Sequence, residues 1–230
     1  MGFFTFLRVL AKTVFAVKQT RKKENALARL PLPEFLPKWL DVMSSDPDAP
    51  FPLMRSPASA SEIADAEQRL GTTLPDELKG FYALSDGIGW SEPDCRNDFV
   101  RISELKPSCR YDPPLSEQLR REWESWGREN GTPEGLPVFS TSLVKLALDR
   151  HKFVLPFEEI DNMLALEAPV SGSGVLIVAE AHPLLPKGTV LALENLSATR
   201  HNGIGEWLAG YAGVVMLMNY ANPSAGKTAC

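Results

Sequence analysis

Apolar and polar residues alternate with the clearest helical period in residues 59–90. Ser59 precedes Glu62 by three residues, which is the spacing of a capping box: the hydroxyl accepts a hydrogen bond from a first-turn amide, and the carboxylate accepts one from the cap amide. The next apolar residues share one helix face: Ile63, Ala66 and Leu70. The pattern predicts a helix that begins at residue 59 and leaves Arg69 facing water.

Gly71 is predicted to end this helix, because glycine adopts a positive φ at little steric cost, and Leu74 is placed to close the turn by a hydrophobic contact. Pro75 and the two carboxylates after it are typical of a second helix start. This helix ends in Ser-Asp-Gly-Ile-Gly at residues 85–89. The residues that it is predicted to bury are Leu78, Phe81 and Tyr82.

Apolar residues in the first seventeen positions also have a helical spacing: Phe3, Phe4, Leu7, Leu10, Val14 and Val17. Arg8 and Lys12 interrupt them well short of the roughly 20 apolar residues that a membrane span needs, so we expect neither a span nor a secretory signal. Two interpretations remain. The helix could rest on a membrane surface or a partner, or it could pack on its own domain, and we favour packing.

The remaining pattern predicts a short helix at residues 32–43, anchored by Phe35, Leu36, Trp39 and Leu40, and a proline-stiffened connection after it. Amphipathic spacing predicts further helices at residues 115–130 and 203–220. Apolar runs between turn residues predict strands at residues 98–103, 163–166, 174–179 and 189–193, and residues 143–148 suit a strand or a helix.

These elements predict an α+β fold: a mostly antiparallel sheet flanked by helices, with an N-terminal helical extension. The expected organisation is a basic helical arm with a proline-rich lead-in at residues 1–50, a single domain at 51–222 and a tail at 223–230.

The hairpin in residues 59–90 carries a pattern that resembles the opening of the SUKH superfamily, named for a yeast cell-wall-synthesis regulator and its relatives. The matching residues are Glu62, Ile63, Ala66, Glu67, Leu70, Gly71, Leu74, Pro75, Leu78, Phe81, Tyr82, Asp86 and Gly87. Near the C-terminus, Trp207 lies in a Glu-Trp-Leu phrase that matches the last part of the family's terminal-helix motif. The resemblance covers residues 53–219 and is a fold signature, so its apolar residues are expected to be core.

The resemblance implies a binding role without catalysis. Many bacterial members are immunity proteins, and we expect this protein to bind and neutralise a cognate toxin delivered by neighbouring cells. The alternative is a regulatory scaffold of the yeast type.

Charge divides the chain into a basic arm and an acidic body. The first thirty residues hold seven basic side chains and one acidic, whereas the other two hundred hold 17 basic and 28 acidic. The acidic body argues against nucleic-acid binding, because phosphate contacts need a basic surface. Three cysteines, an odd number, favour a reducing cytoplasm.

No motif in the sequence predicts an enzyme, a metal site or a cofactor. Gly226, Lys227 and Thr228 resemble the end of a phosphate loop, but Ala221 stands where that loop needs its first glycine. The three histidines are scattered without zinc-ligand spacing.

Two acidic groups are therefore the candidate partner-binding residues. One lies at residues 86–104, in and after the exit of the hairpin, and the other lies near residue 160. A charge run is most often a solvated face, but carboxylates also suit a basic partner, such as the cleft of a nuclease toxin, where they speed encounter. The candidates, which include one aromatic residue, are Asp86, Trp90, Glu92, Asp94, Asp98, Glu104, Glu158, Glu159 and Asp161.

Overall fold

The structure, a computed structural model, describes residues 3–45, 50–92, 98–130, 138–140, 152–154, 157–169, 173–180, 185–194 and 197–221. Two compact units make up the chain. The helical unit comprises Met1–Pro52 and Gly205–Cys230, and the sheet unit comprises Leu53–Ile204.

Seven helices and eight strands are described. The helices are α1 Phe3–Ala28, α2 Leu32–Met43, α3 Ala60–Leu70, α4 Asp76–Tyr82, α5 Leu115–Asn130, α6 Phe157–Ile160 and α7 Ile204–Ala221. The strands are β1 Pro52–Met54, β2 Ile88–Trp90, β3 Val138–Ser140, β4 Lys152–Val154, β5 Leu164–Ala165, β6 Gly174–Ile177, β7 Val190–Glu194 and β8 Ser197–His201. The predicted α+β fold with an N-terminal helical part is confirmed.

Helix α2 anchors the helical unit through aromatic side chains, as its sequence predicts. Phe35 and Trp39 are fully buried, and the Trp39 indole Nε1 donates a hydrogen bond to the carbonyl oxygen of Leu208 on α7 at 2.7 Å. Met43 fills the next turn of the buried face, whereas the predicted anchor Leu40 is half-buried. A buried indole needs such a partner for its N–H, so this bond ties α2 to α7.

Helix α1 packs within the helical unit through one side of its second half. Ala16, Thr20 and Leu27 are buried, while Val17, from the predicted apolar stripe, is half-buried. The rest of that stripe lies outside the described side chains. No helix among the described residues is long and apolar enough to cross a membrane.

An antiparallel four-stranded sheet in the order β5-β6-β7-β8 forms the centre of the sheet unit. Two-stranded pairs, β1 with β2 and β3 with β4, make up the other described sheets. Helix α5 covers the core with Leu115 and Leu119, both fully buried. The same cluster takes residues from α6, from β5, β6, β7 and β8, and from the loops near them: Ile160, Met163, Ala165, Leu176, Val178, Leu185, Leu191, Leu193 and Ala198.

The strand predicted at residues 98–103 is wrong beyond its first residues. Phe99 forms isolated bridges to Ile88 and Glu167, but the chain then turns, and the Glu104 amide donates to the Arg101 carbonyl at 3.0 Å. Strand β8 was not predicted, because Ser-Ala-Thr-Arg-His lacks the apolar run of a buried strand. Residues 143–148 lie outside the described residues.

Candidate partner-binding surface

The predicted capping box begins the hairpin of α3 and α4. The Glu62 amide donates to Ser59 Oγ at 3.2 Å, and the Ser59 amide donates to Glu62 Oε2 at 2.7 Å. The hydrogen bond from the Ser59 backbone holds the pKa of Glu62 below its ordinary value, because the bond stabilises the charged carboxylate.

The turn between the helices is held by a side chain of the motif as well as by its glycine. Gly71 has φ 69°, the left-handed conformation predicted for the helix end. Glu67 Oε1 accepts a hydrogen bond from the Leu74 amide at 2.8 Å and lies 3.6 Å from Lys79 Nζ. Leu74 itself is fully buried. The motif glutamate is therefore a structural residue that satisfies an amide beyond the helix end.

Three consecutive residues, Ser85, Asp86 and Gly87, fix the conformation of the hairpin exit. Ser85 is fully buried, and its hydroxyl donates to the Gly87 carbonyl at 2.6 Å. Asp86 Oδ1 accepts from the Ile102 amide at 2.7 Å. Gly87 has φ 86°, and a Cβ there would lie 2.4 Å from the Phe99 carbonyl oxygen. The backbone approaches Gly87 so closely that a side chain would clash.

Arg69, predicted to face water, also contributes to this architecture. Its guanidinium donates to the carbonyl oxygens of Leu105 at 2.7 Å and Ile102 at 2.9 Å. Together with Asp86, it holds the turn that replaces the end of the predicted strand.

Most described acidic candidates of the exit are engaged within the fold. Asp98 Oδ2 lies 2.5 Å from Arg55 Nη2, and Glu104 Oε2 accepts from the Arg101 amide at 3.3 Å. Trp90 is 7% exposed at the end of β2, whereas Glu92 is exposed. Asp94 lies outside the described residues.

A cleft of about 430 Å³ lies beside the hairpin turn and receives part of the second acidic group. Glu159 and the exposed Glu180 line it together with Arg110. Apolar contacts come from Leu70, Met163, Leu164 and Val178. The cleft thus combines an apolar floor with charges of both signs.

A shallower depression of about 500 Å³ shares Thr72 and Glu180 with the cleft, so the two form one groove along the hairpin turn. We call it the turn groove. Lys187 lies in its outer part, where its Nζ donates to the Thr73 carbonyl oxygen at 2.5 Å. The charged groups of the inner part of the groove are Glu159, Glu180 and Arg110.

The end of α6 and the loop after it are held beside the cleft by hydrogen bonds to their backbone carbonyls. The Ser108 hydroxyl donates to the Ile160 carbonyl at 2.6 Å, and the Cys109 amide donates to the Asp161 carbonyl at 3.2 Å. Asp161 Oδ1 is buried and accepts no hydrogen bond from the described residues. The side chain of Glu158 lies outside the described part of α6. Within the described residues, no three His, Cys, Asp or Glu side chains are grouped to hold a metal ion.

Residues 57–147 match the model of the SMI1 / KNR4 family (SUKH-1). The matched segment belongs to the SUKH superfamily. It includes the α3–α4 hairpin, the exit and α5, whereas the central sheet and Trp207 follow it in the chain. No curated protein matches the chain.

In this SUKH segment, the apolar motif residues of α4 are core as the resemblance implied. Leu78, Phe81 and Tyr82 are fully buried, and the rings of Phe81 and Phe99 stack at 4.4 Å between centroids. Trp207, in the helical unit, is 4% exposed and meets the Tyr211 ring edge-on at 5.7 Å.

The turn groove was not predicted from the sequence. It joins the turn after Gly71 to the loops near residues 110, 160 and 180, which are far apart in the chain and share no local pattern. Glu159 was predicted as a binding residue, but Arg110 and Glu180 carry no sequence signal that singles them out.

Proposed function

We propose that this SUKH protein binds and neutralises a cognate protein toxin, without catalysis, in the cytoplasm. The family supports a role through protein partners. The observation that carries the proposal is the turn groove, which offers apolar surface and the exposed carboxylate of Glu180 at the edge of the SUKH hairpin.

The groove is a better candidate contact than the hairpin exit. Asp86, Asp98 and Glu104 each bond a group of their own chain, so a partner would have to replace those bonds. The exposed Glu180 instead lines a concave surface, whose wall also includes Glu159. Such a pocket suits a side chain of a protein partner, because the side chains that dominate protein interfaces fill pockets from which water is excluded.

The charges in the groove indicate the chemistry of the partner. A lysine or arginine of the toxin would pair with the exposed Glu180, and its aliphatic stem would contact Leu70. A carboxylate or a backbone carbonyl of the toxin would pair with Arg110. Such complementary charges raise the association rate and fix the orientation of a complex more than they add affinity.

Co-production with a toxin candidate, taken from the genes that neighbour its own, tests this function. Host cells that make the toxin and the wild-type protein are expected to survive, whereas cells that make the toxin alone die. Absence of protection, together with no binding between the two purified proteins, would overturn the proposal. Binding to a protein of its own cell without protection from a toxin would favour the scaffold role instead.

A charge-reversed variant separates the groove from the overall acidity. Glu180→Lys should reduce protection, while Asp65→Lys, which changes the net charge by the same two units at an exposed position on α3, should leave it unchanged. Equal protection by both variants would place the contact elsewhere.

A further inference from the structure

The second half of helix α1 presents two different faces. The buried residues Ala16, Thr20 and Leu27 are 6%, 7% and 7% exposed. Their spacings of four and seven residues return to the same side of a helix. This side packs within the helical unit, so the opposite side of α1 faces away from that contact.

The opposite face of α1 combines cations with an aromatic ring. Phe15, Lys18 and Lys22 follow at spacings of three and four residues, and Arg21 lies at the edge of the same face. The three basic side chains are exposed, and Phe15 is 54% exposed. This face therefore presents both cations and an apolar ring to the solvent.

The acidic residue of α1 does not neutralise this face. Glu24 is directed toward α7, where its Oε2 would lie 2.7 Å from a Cβ added to Gly213. Burial raises the pKa of Glu24, and the nearby Glu206 adds to that rise while Arg21 opposes it. Lys18 and Lys22 therefore remain as cations on the exposed face.

We propose that this face of α1 binds the surface of an anionic lipid membrane, with the helix lying parallel to the bilayer. Lysine and arginine would meet the lipid phosphates, and Phe15 would enter the boundary between headgroups and acyl chains. Nucleic-acid phosphates would also attract the cations, but pairing with phosphates alone would leave the Phe15 ring in water. This interaction does not depend on toxin binding.

Vesicle co-sedimentation of the full chain tests the membrane surface. We expect binding to phosphatidylcholine vesicles that contain about one third phosphatidylglycerol, and none to pure phosphatidylcholine, because the attraction requires anionic lipid. Raising the salt from about 0.1 M to about 1 M should weaken binding, since the Debye length falls from about 10 Å to about 3 Å.

Two variants and a charge-matched control separate the α1 face from net charge. Lys18→Gln with Lys22→Gln should weaken vesicle binding roughly 25-fold, about fivefold for each lost cation near the surface. Phe15→Ser should weaken it about tenfold by removing the apolar part. Lys38→Glu, which changes the net charge by the same two units at an exposed position of α2, should bind as the wild type does.

The proposal is overturned if anionic vesicles do not sediment the wild-type protein. It is also overturned if the double variant binds as tightly as Lys38→Glu does. A single-stranded RNA oligonucleotide serves as the competing probe: binding to RNA with loss in the double variant, and no binding to vesicles, would assign the face to nucleic acid.

Discussion

Replacing Gly87 by alanine should destabilise the sheet unit far more than the same change at Gly71. Both glycines have positive φ, 86° at Gly87 and 69° at Gly71. At either position a Cβ in the left-handed region costs about 1–2 kcal/mol. They differ in their surroundings. A Cβ at Gly71 meets nothing within 4 Å, whereas one at Gly87 lies 2.4 Å from the Phe99 oxygen and 2.8 Å from the Val100 oxygen.

The magnitude follows from these contacts. At both sites alanine also lowers the entropy of the unfolded chain, which offsets about 0.4–1 kcal/mol of this cost. Gly71→Ala should therefore lower the free energy of unfolding by about 1 kcal/mol. At Gly87, backbone oxygens must move, and overpacking of this kind costs a further 1–3 kcal/mol, roughly. Gly87→Ala should therefore cost about 3 kcal/mol in total, roughly a thirtyfold larger change in the unfolding constant than Gly71→Ala.

Urea unfolding followed by circular dichroism measures both variants against the wild type. Hydrogen exchange at the Phe99 amide, which donates to the Ile88 carbonyl at 2.9 Å, reports the exit locally. Equal destabilisation by the two alanines, with unchanged Phe99 protection in Gly87→Ala, would refute the close approach as the reason for glycine in the exit.

Three further predictions concern two buried side chains and one half-buried carboxyl group. Tyr82→Phe should cost about 1 kcal/mol, because the Val100 carbonyl loses a donor at 3.1 Å; burial raises the pKa of Tyr82 well above 10.0, so wild-type stability should fall as pH rises above that value, and this fall should be smaller in the variant. Trp39→Phe should destabilise the helical unit by about 2 kcal/mol in thermal unfolding, since it leaves a gap and frees the Leu208 carbonyl; no change would show that the indole bond is unimportant. Glu24→Gln should raise the unfolding midpoint at pH 7 and have less effect near pH 4.5, because burial raises the pKa of Glu24 and a raised pKa makes the folded state less stable as pH increases; a lower midpoint at pH 7 would contradict this.

Local signals in the sequence predicted the elements that depend on local chemistry. The capping box at Ser59, the helix end at Gly71 and the bounds of α5 are confirmed, because caps, glycine conformations and amphipathic spacing act within a few residues. The buried face of α2 was predicted for the same reason.

Features that depend on distant parts of the chain were not predicted. Arg69 has the position of a solvent-facing residue on α3, yet its partners are carbonyls more than thirty residues away. The exit carboxylates are indistinguishable in sequence from a free acidic surface, and their pairing with Arg55 and with backbone amides depends on the folded exit. The turn groove arises in the same way, from loops that the sheet brings together.

The most direct test of a toxin-binding role is a calorimetric titration of the purified protein with the purified product of each gene that neighbours its own. We predict that the wild type and Asp65→Lys bind with the same affinity, and that Glu180→Lys, which carries the same net charge as Asp65→Lys, binds at least roughly tenfold more weakly, with a reduced dependence on salt. Absence of binding by the wild type would contradict toxin neutralisation, and equal affinity for all three proteins would contradict the turn groove as the contact.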